Sequence, residues 1–248
     1  MKDQRDFLIR IQRFDPEGSE SPFFQEYRLS MDQSSTVLDA LVKIKETQDS
    51  TLTFRCSCRS AICGSCAVRV NDKGILACHT RLEEVVKDQE PIIIQPLRNL
   101  RPIKDLVVDL EVFFEKLKKT QPWLITAGYL PPLNKEHIVY PDEKYQRLNK
   151  VDNCTLCAIC YSDCPVVAEG SSFIGPAAVV KAMRFILDSR DVAHKGRCQQ
   201  LLELGILQCE EPDQCPVECP KGISLAEDAM RPLQRMSINH QALVRSEQ

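Results

Sequence analysis

The pattern of apolar and polar positions changes character along the chain. Phe7-Leu8-Ile9-Arg10-Ile11-Gln12-Arg13-Phe14 alternates over part of its length, as a half-buried strand does. Asp15-Pro16-Glu17-Gly18-Ser19 reads as a turn, and Glu26–Met31 as the returning strand. Ser35 is placed to cap a helix whose inner face carries Val37, Leu38, Leu41, Val42 and Ile44. Ala67–Val70 and Gly74–Ala77 flank Asn71-Asp72-Lys73, which predicts a hairpin, and Ile92–Ile94 closes the sheet. Leu97–Lys104 reads as a link between domains.

Beyond the link the period becomes helical. Val107, Leu110, Phe113, Phe114 and Leu117 recur at three and four. Pro122, Pro131 and Pro132 then predict a loop reaching past Pro141, with Trp123 as a packing anchor. Pro176 suits the first turn of a helix that continues through Val179, Val180, Met183, Phe185, Ile186 and Leu187 and ends at Asp188-Ser189-Arg190-Asp191. Gln199–Leu204 fits a short helix stopped by Gly205. Ser224-Leu225-Ala226-Glu227 reads as a capping box opening a last helix to about Met236, followed by a fraying polar end. The expected fold class is α+β, with a β-grasp domain at 1–104 and an all-α domain at 105–248.

Composition narrows the function. Lys and Arg number 32 against 35 Asp and Glu, and neither half is basic, so no nucleic-acid footprint is expected. No apolar run approaches about 18 residues, so no membrane span is expected. Met1-Lys2-Asp3-Gln4-Arg5-Asp6 resembles neither a signal nor a transit peptide, which points to a prokaryotic-type cytoplasm. No Gly-x-Gly-x-x-Gly follows a strand, and His79, His137, His194 and His240 read as surface residues. No catalytic residue is assigned.

Thirteen cysteines change the picture. An odd count in a chain of this length does not suit a disulfide framework. Cys154-x2-Cys157-x2-Cys160-x3-Cys164-Pro165 is the ligand run of bacterial-type ferredoxins, unlike the paired C-x2-C units of zinc sites. Its fourth cysteine serves a second cluster in two-cluster proteins. The second run is Cys209-x5-Cys215-x3-Cys219-Pro220, with Pro212 where the pattern wants cysteine. Crossing the ligands assigns Cys154, Cys157, Cys160 and Cys219 to a 4Fe-4S cluster. Cys164, Cys209 and Cys215 remain for a 3Fe-4S cluster, unless Cys198 or an outside ligand fills the fourth corner. Cys58-x4-Cys63-x2-Cys66, followed by Cys78, is the plant-type 2Fe-2S spacing. Cys56 reads as a non-ligand neighbour and Cys198 as a small buried apolar residue. Three clusters in series make a path for single electrons.

These motifs, in this order, resemble the iron–sulfur subunit of succinate dehydrogenase and fumarate reductase. Cys58-Arg59-x3-Cys63-Gly64-Ser65-Cys66, Lys104–Asp109, the Cys154 run, Phe173-Ile174-Gly175-Pro176, Asp188–Asp191 and Cys215–Gly222 carry the likeness. The resemblance implies a flavoprotein partner whose FAD exchanges electrons with 2Fe-2S, then 4Fe-4S, then 3Fe-4S. It also implies membrane anchor subunits that bind quinone beside the last cluster. Pro165 matches a proline of the quinone pocket, and the chain would sit peripherally on the cytoplasmic side of a prokaryotic inner membrane. Val166–Glu169 and Glu210 stand where many members carry tryptophan and histidine. The competing readings are the iron–sulfur subunit of a soluble, thiol-linked fumarate reductase and a free polyferredoxin.

Overall fold

A computed structural model describes residues 4–18, 21–87, 90–128 and 143–246, with side chains through residue 240. The expected loop past Pro141 falls largely outside the described residues, together with Pro131, Pro132 and His137. The chain divides into two compact units, Met1–Val112 with Thr155–Asp163, and Phe113–Cys154 with Cys164–Gln248.

The first unit is built on a five-stranded sheet. Its strands are β1 (Gln4–Arg13), β2 (Phe23–Asp32), β3 (Ala67–Val70), β4 (Lys73–Leu76) and β5 (Ile92–Gln95), in spatial order β2-β1-β5-β3-β4. β1 pairs antiparallel with β2 and parallel with β5, so Ile9 sits beside both Tyr27 and Ile92. β5 therefore fills the centre of the sheet. Alternation in β1 turns Phe7, Ile9 and Ile11 into the core. Helix α1 (Val37–Thr47) covers that face with Val37, Leu38, Leu41 and Ile44, each buried. Burying such a side chain stabilises by roughly 1.5–3 kcal/mol. Its cap is Thr36 rather than Ser35: Thr36 Oγ1 accepts from Asp39 N at 3.1 Å, and Asp39 accepts from Thr36 N at 2.9 Å. The β3–β4 turn is two residues, Asn71 and Asp72, with φ of 46° and 68°. This left-handed pair matches the strand twist of a tight hairpin. A short helix, α2 (Leu82–Val85), precedes β5.

The stretch read as a link is packed into this unit. β6 (Pro102–Lys104) pairs with β7 (Val107–Val108), and Asp105 between them is buried. Asp105 accepts from Arg13 Nε at 2.9 Å, Phe14 N at 3.1 Å and Thr53 N at 2.8 Å. Buried charges persist only when paired in this way. The segment Thr155–Asp163 joins the same unit through Asp163. That carboxylate accepts from Arg69 and from Gly74 N on the hairpin. Asn99 Nδ2 adds bonds to the carbonyls of Tyr161 and Ser162 at 3.2 and 3.0 Å. A Cβ on Gly74 would lie 2.5 Å from Ile159 Cγ2 and 2.8 Å from Asp163 Oδ2. Gly74→Ala is therefore expected to push this segment off the hairpin and cost about 1–3 kcal/mol. An unchanged urea midpoint would contradict that packing.

The regular elements among the described residues of the second unit are all helices. α3 (Glu111–Lys118) starts later than the period suggested, because Val107 and Val108 are taken by β7. α4 (Glu143–Asp152) was not anticipated. Around the cysteine runs stand α5 (Ile159–Ser162, in the first unit) and α6 (Pro165–Ala168). α7 (Pro176–Leu187) is buried on nearly all sides and packs against α4 and α8 (His194–Glu203). α8 begins earlier than the expected Gln199. Ser224 caps the next turn by accepting from Glu227 N, but its own N–H donates to Asp228 at 2.9 Å, so the reciprocal bond skips a residue. Leu225–Met230 is a π-helical turn that runs into α9 (Arg231–Ser246), well past Met236. Arg197 of α8 is buried and donates to Asp191 and to the carbonyls of Thr120, Gln121 and Trp123. Trp123 is 52% exposed and its carbonyl accepts from Arg197, so its backbone rather than its ring is the anchor.

Candidate iron–sulfur sites

Residues 58–66 form a loop bent by three left-handed residues, Arg59 at φ 54°, Ala61 at 54° and Gly64 at 72°. The bends aim amide groups inward. Ser60 N, Ile62 N and Cys63 N donate to Cys58 Sγ at 3.4, 3.4 and 3.3 Å. Ala61 N donates to Cys78 Sγ at 3.3 Å, and Ser65 Oγ lies 3.1 Å from Cys63 Sγ. Cys66 is buried within electrostatic reach of Cys78 and Cys63, so the structure gathers all four expected residues. Their environments differ. The Ser65 hydroxyl and neighbouring amides bring the Cys63 thiol down to about 6. Burial pushes the Cys66 thiol up to about 12, with Cys78 and Cys63 adding to it. Such donors favour the thiolate and the more reduced state of a cluster. Cys56 is exposed, as is Ile62 at 68%.

In the second unit Cys164 is buried and directly precedes α6, whose Val166 and Val167 amides face its sulfur. Cys209 follows a 3-10 turn at Ile206–Gln208 and is tied down by Gln234 Nε2, 2.7 Å from its carbonyl. Cys215 ends a second such turn at Pro212–Gln214, in which Pro212 is buried. Cys164, Cys209 and Cys215 lie within electrostatic reach of one another. Burial raises the Cys209 thiol to about 11, and the other two sulfurs push the same way. Lys116 stands beside Cys164 and donates to the carbonyl of Phe173 at 2.9 Å. Pro165 is exposed at the start of α6, and Glu169, Leu207 and Glu210 are exposed as well. Cys198 is buried on α8 against Ser237, as expected of an apolar cysteine.

Cys157 and Cys160 lie in the segment that belongs to the first unit, on either side of left-handed Ala158. Cys154 closes α4 and Cys219 precedes a turn closed by Gly222 N on its carbonyl at 2.9 Å, both in the second unit. All four are half-buried. Sequence reasoning missed Asp163, Thr155 and Lys116 near these runs. Asp163 could have been noticed as the one acid inside the Cys154–Cys164 run; Lys116 carries no local signal.

Residues 8–115 match the family described as a 2Fe-2S iron-sulfur cluster binding domain, and residues 150–223 match a 4Fe-4S dicluster domain. The fumarate reductase iron-sulfur subunit of Mycobacterium tuberculosis is 37% identical over 88% of this chain and 88% of its own. The succinate dehydrogenase iron-sulfur subunit of Paracoccus denitrificans is 37% identical over 88% of this chain and 83% of its own. A chain of the Mycobacterium smegmatis Sdh1 complex superposes with a TM-score of 0.75 at 25% identity, covering 96% of this chain and 98% of that one. A β-grasp unit, a helical unit and the ferredoxin-type cysteine runs define an iron–sulfur electron-transfer protein. The chain belongs to the family of iron–sulfur subunits of succinate dehydrogenase and fumarate reductase. Its place in that oxidoreductase is electron relay. Among the described residues no helix is long and apolar enough to cross a membrane.

Proposed function

We propose that this chain carries single electrons between the FAD of a flavoprotein subunit and quinone held at a membrane anchor. Cys58, Cys63, Cys66 and Cys78 hold 2Fe-2S, Cys154, Cys157, Cys160 and Cys219 hold 4Fe-4S, and Cys164, Cys209 and Cys215 hold 3Fe-4S. The clusters supply one-electron carriers, and the chain sets their spacing, hydrogen bonding and exclusion of water. The observation that carries this reading is that Cys164, Cys209 and Cys215 lie within electrostatic reach of one another, with Pro212 buried in the turn that ends at Cys215. A proline at that corner offers no thiolate to a fourth iron. Pro165, Glu169, Leu207 and Glu210, each exposed and close in sequence to Cys164 or Cys209, suit the quinone side, at the cytoplasmic surface of a prokaryotic inner membrane. Gentle solubilisation and purification by this chain should bring down a flavoprotein and a small hydrophobic subunit. Recovery of the chain alone from the soluble fraction would overturn the membrane docking.

The ligand choice at the first cluster has its own test. Three amides converge on Cys58, whereas Cys56 is exposed. Cys56→Ser is expected to leave the 2Fe-2S visible and EPR spectra unchanged at full iron content. Cys58→Ser is expected to shift or abolish them. Loss of the spectrum in the Cys56 variant would reverse the assignment.

A further inference from the structure

Thr155 Oγ1 is buried and has no hydrogen-bond partner among the described residues. Buried hydroxyls are almost always paired, so an orphan calls for a partner of another kind. Its surroundings name that partner. Thr155 stands in the Cys154–Cys157 interval and meets the other cluster loop at Gly64. A Cβ on Gly64 would lie 3.1 Å from Thr155 Oγ1, 2.8 Å from Cys157 Cβ and 3.0 Å from Cys157 Cα. The hydroxyl is thus held in the seam where residue 64, between Cys63 and Cys66, touches Cys157. The two sides of the seam are not equivalent. On the 58–66 side, Cys58, Cys63 and Cys78 already face donors from Ser60, Ala61, Ile62, Cys63 and Ser65. Thr155 meets that loop at the Cα face of Gly64, and it lies two residues from Cys157 in its own run.

We propose that Thr155 donates a hydrogen bond from its hydroxyl to a sulfur of the cluster held by its own run, and thereby raises the reduction potential of that cluster. A hydrogen bond to a cluster sulfur stabilises the reduced, more negative state. Glycine at 64 is what lets the hydroxyl and Cys157 close on the neighbouring loop. Thr155 is a positioning and tuning residue, not a ligand. This inference rests on the proposed assignment of Cys154, Cys157, Cys160 and Cys219 to 4Fe-4S.

The test is an EPR-monitored redox titration of the purified complex carrying Thr155→Val, which keeps the shape and removes the donor. The 4Fe-4S reduction equilibrium is expected to fall about fivefold, roughly 41 mV at 59 mV per tenfold for one electron. The 2Fe-2S potential should stay in place, and Thr155→Ser should restore the wild-type value. If neither potential moves, if the 2Fe-2S potential moves instead, or if serine fails to restore it, the proposal is wrong. Should the valine variant assemble no cluster, serine against alanine decides by the same measurement. Cys157→Ser tests the ligand set separately: an intact 4Fe-4S signal there would sink that assignment, whatever the threonine variants show.

Discussion

Replacing Pro212 by cysteine is expected to convert the three-iron cluster proposed for Cys164, Cys209 and Cys215 into a four-iron one. Position 212 is buried in the 3-10 turn that ends at Cys215. Cys209, position 212 and Cys215 would then repeat the spacing of Cys154, Cys157 and Cys160. A fourth thiolate at that corner retains the iron that a proline cannot bind. The oxidised protein should lose its three-iron EPR signal, and the reduced protein should gain a second 4Fe-4S signal. The added thiolate and the added iron offset each other in charge, so the change of cluster type, from three irons to four, is what is expected to lower the potential. Each 1.36 kcal/mol added to an uphill step slows it tenfold, so a fall of about 59 mV costs about tenfold in quinone-linked turnover. Flavin-linked reduction of an artificial acceptor upstream of this cluster should be spared. If the unmodified protein shows no three-iron signal, Cys164, Cys209 and Cys215 do not make the site proposed.

Arg197→Met is expected to be the most destabilising single change in the helical unit. The Arg197 and Asp191 side chains are 1% and 0% exposed, and the guanidinium also meets the carbonyls of Thr120, Gln121 and Trp123. Methionine would strip a buried carboxylate of its countercharge, leaving it the amides of Ile125 and Ala193, and would take one donor from each of three carbonyls. Breaking a buried pair from one side costs about 3–5 kcal/mol, a large share of a total of roughly 5–15. The Phe185 ring, 5.2 Å from the guanidinium carbon, loses a cation as well. A urea titration should show the midpoint falling, and Asp191→Asn combined with Arg197→Met should cost less than the sum of the two. Burial alone would raise the Asp191 carboxyl, but bonds from Arg197 and from the amides of Ile125 and Ala193 hold it below its ordinary value. Its contribution is therefore present above about pH 4 and lost as pH falls through the lowered value. Additive costs, or an unmoved midpoint, would show that the pair carries little.

The cysteine spacings, the alternation of β1 and the start of α7 at Pro176 were legible in the chain because each is a local relation. A ligand run must wrap its cluster with its own few residues, and an amphipathic strand must show its period in sequence. The tertiary structure alone decided that Thr155–Asp163 belongs with the sheet unit. Asp163 finds its partners at Arg69 and Gly74, some 90 positions earlier in the chain. It alone turned the end of the supposed link at 97–104 into the first strand of a packed hairpin, Pro102–Val108, over Asp105, since Arg13 supplies the countercharge. It carried the last helix to Ser246. It placed the Thr155 hydroxyl against Gly64. In each case the determining contact is between residues distant in sequence. Burial and charge pairing there override what the local period or composition prefers.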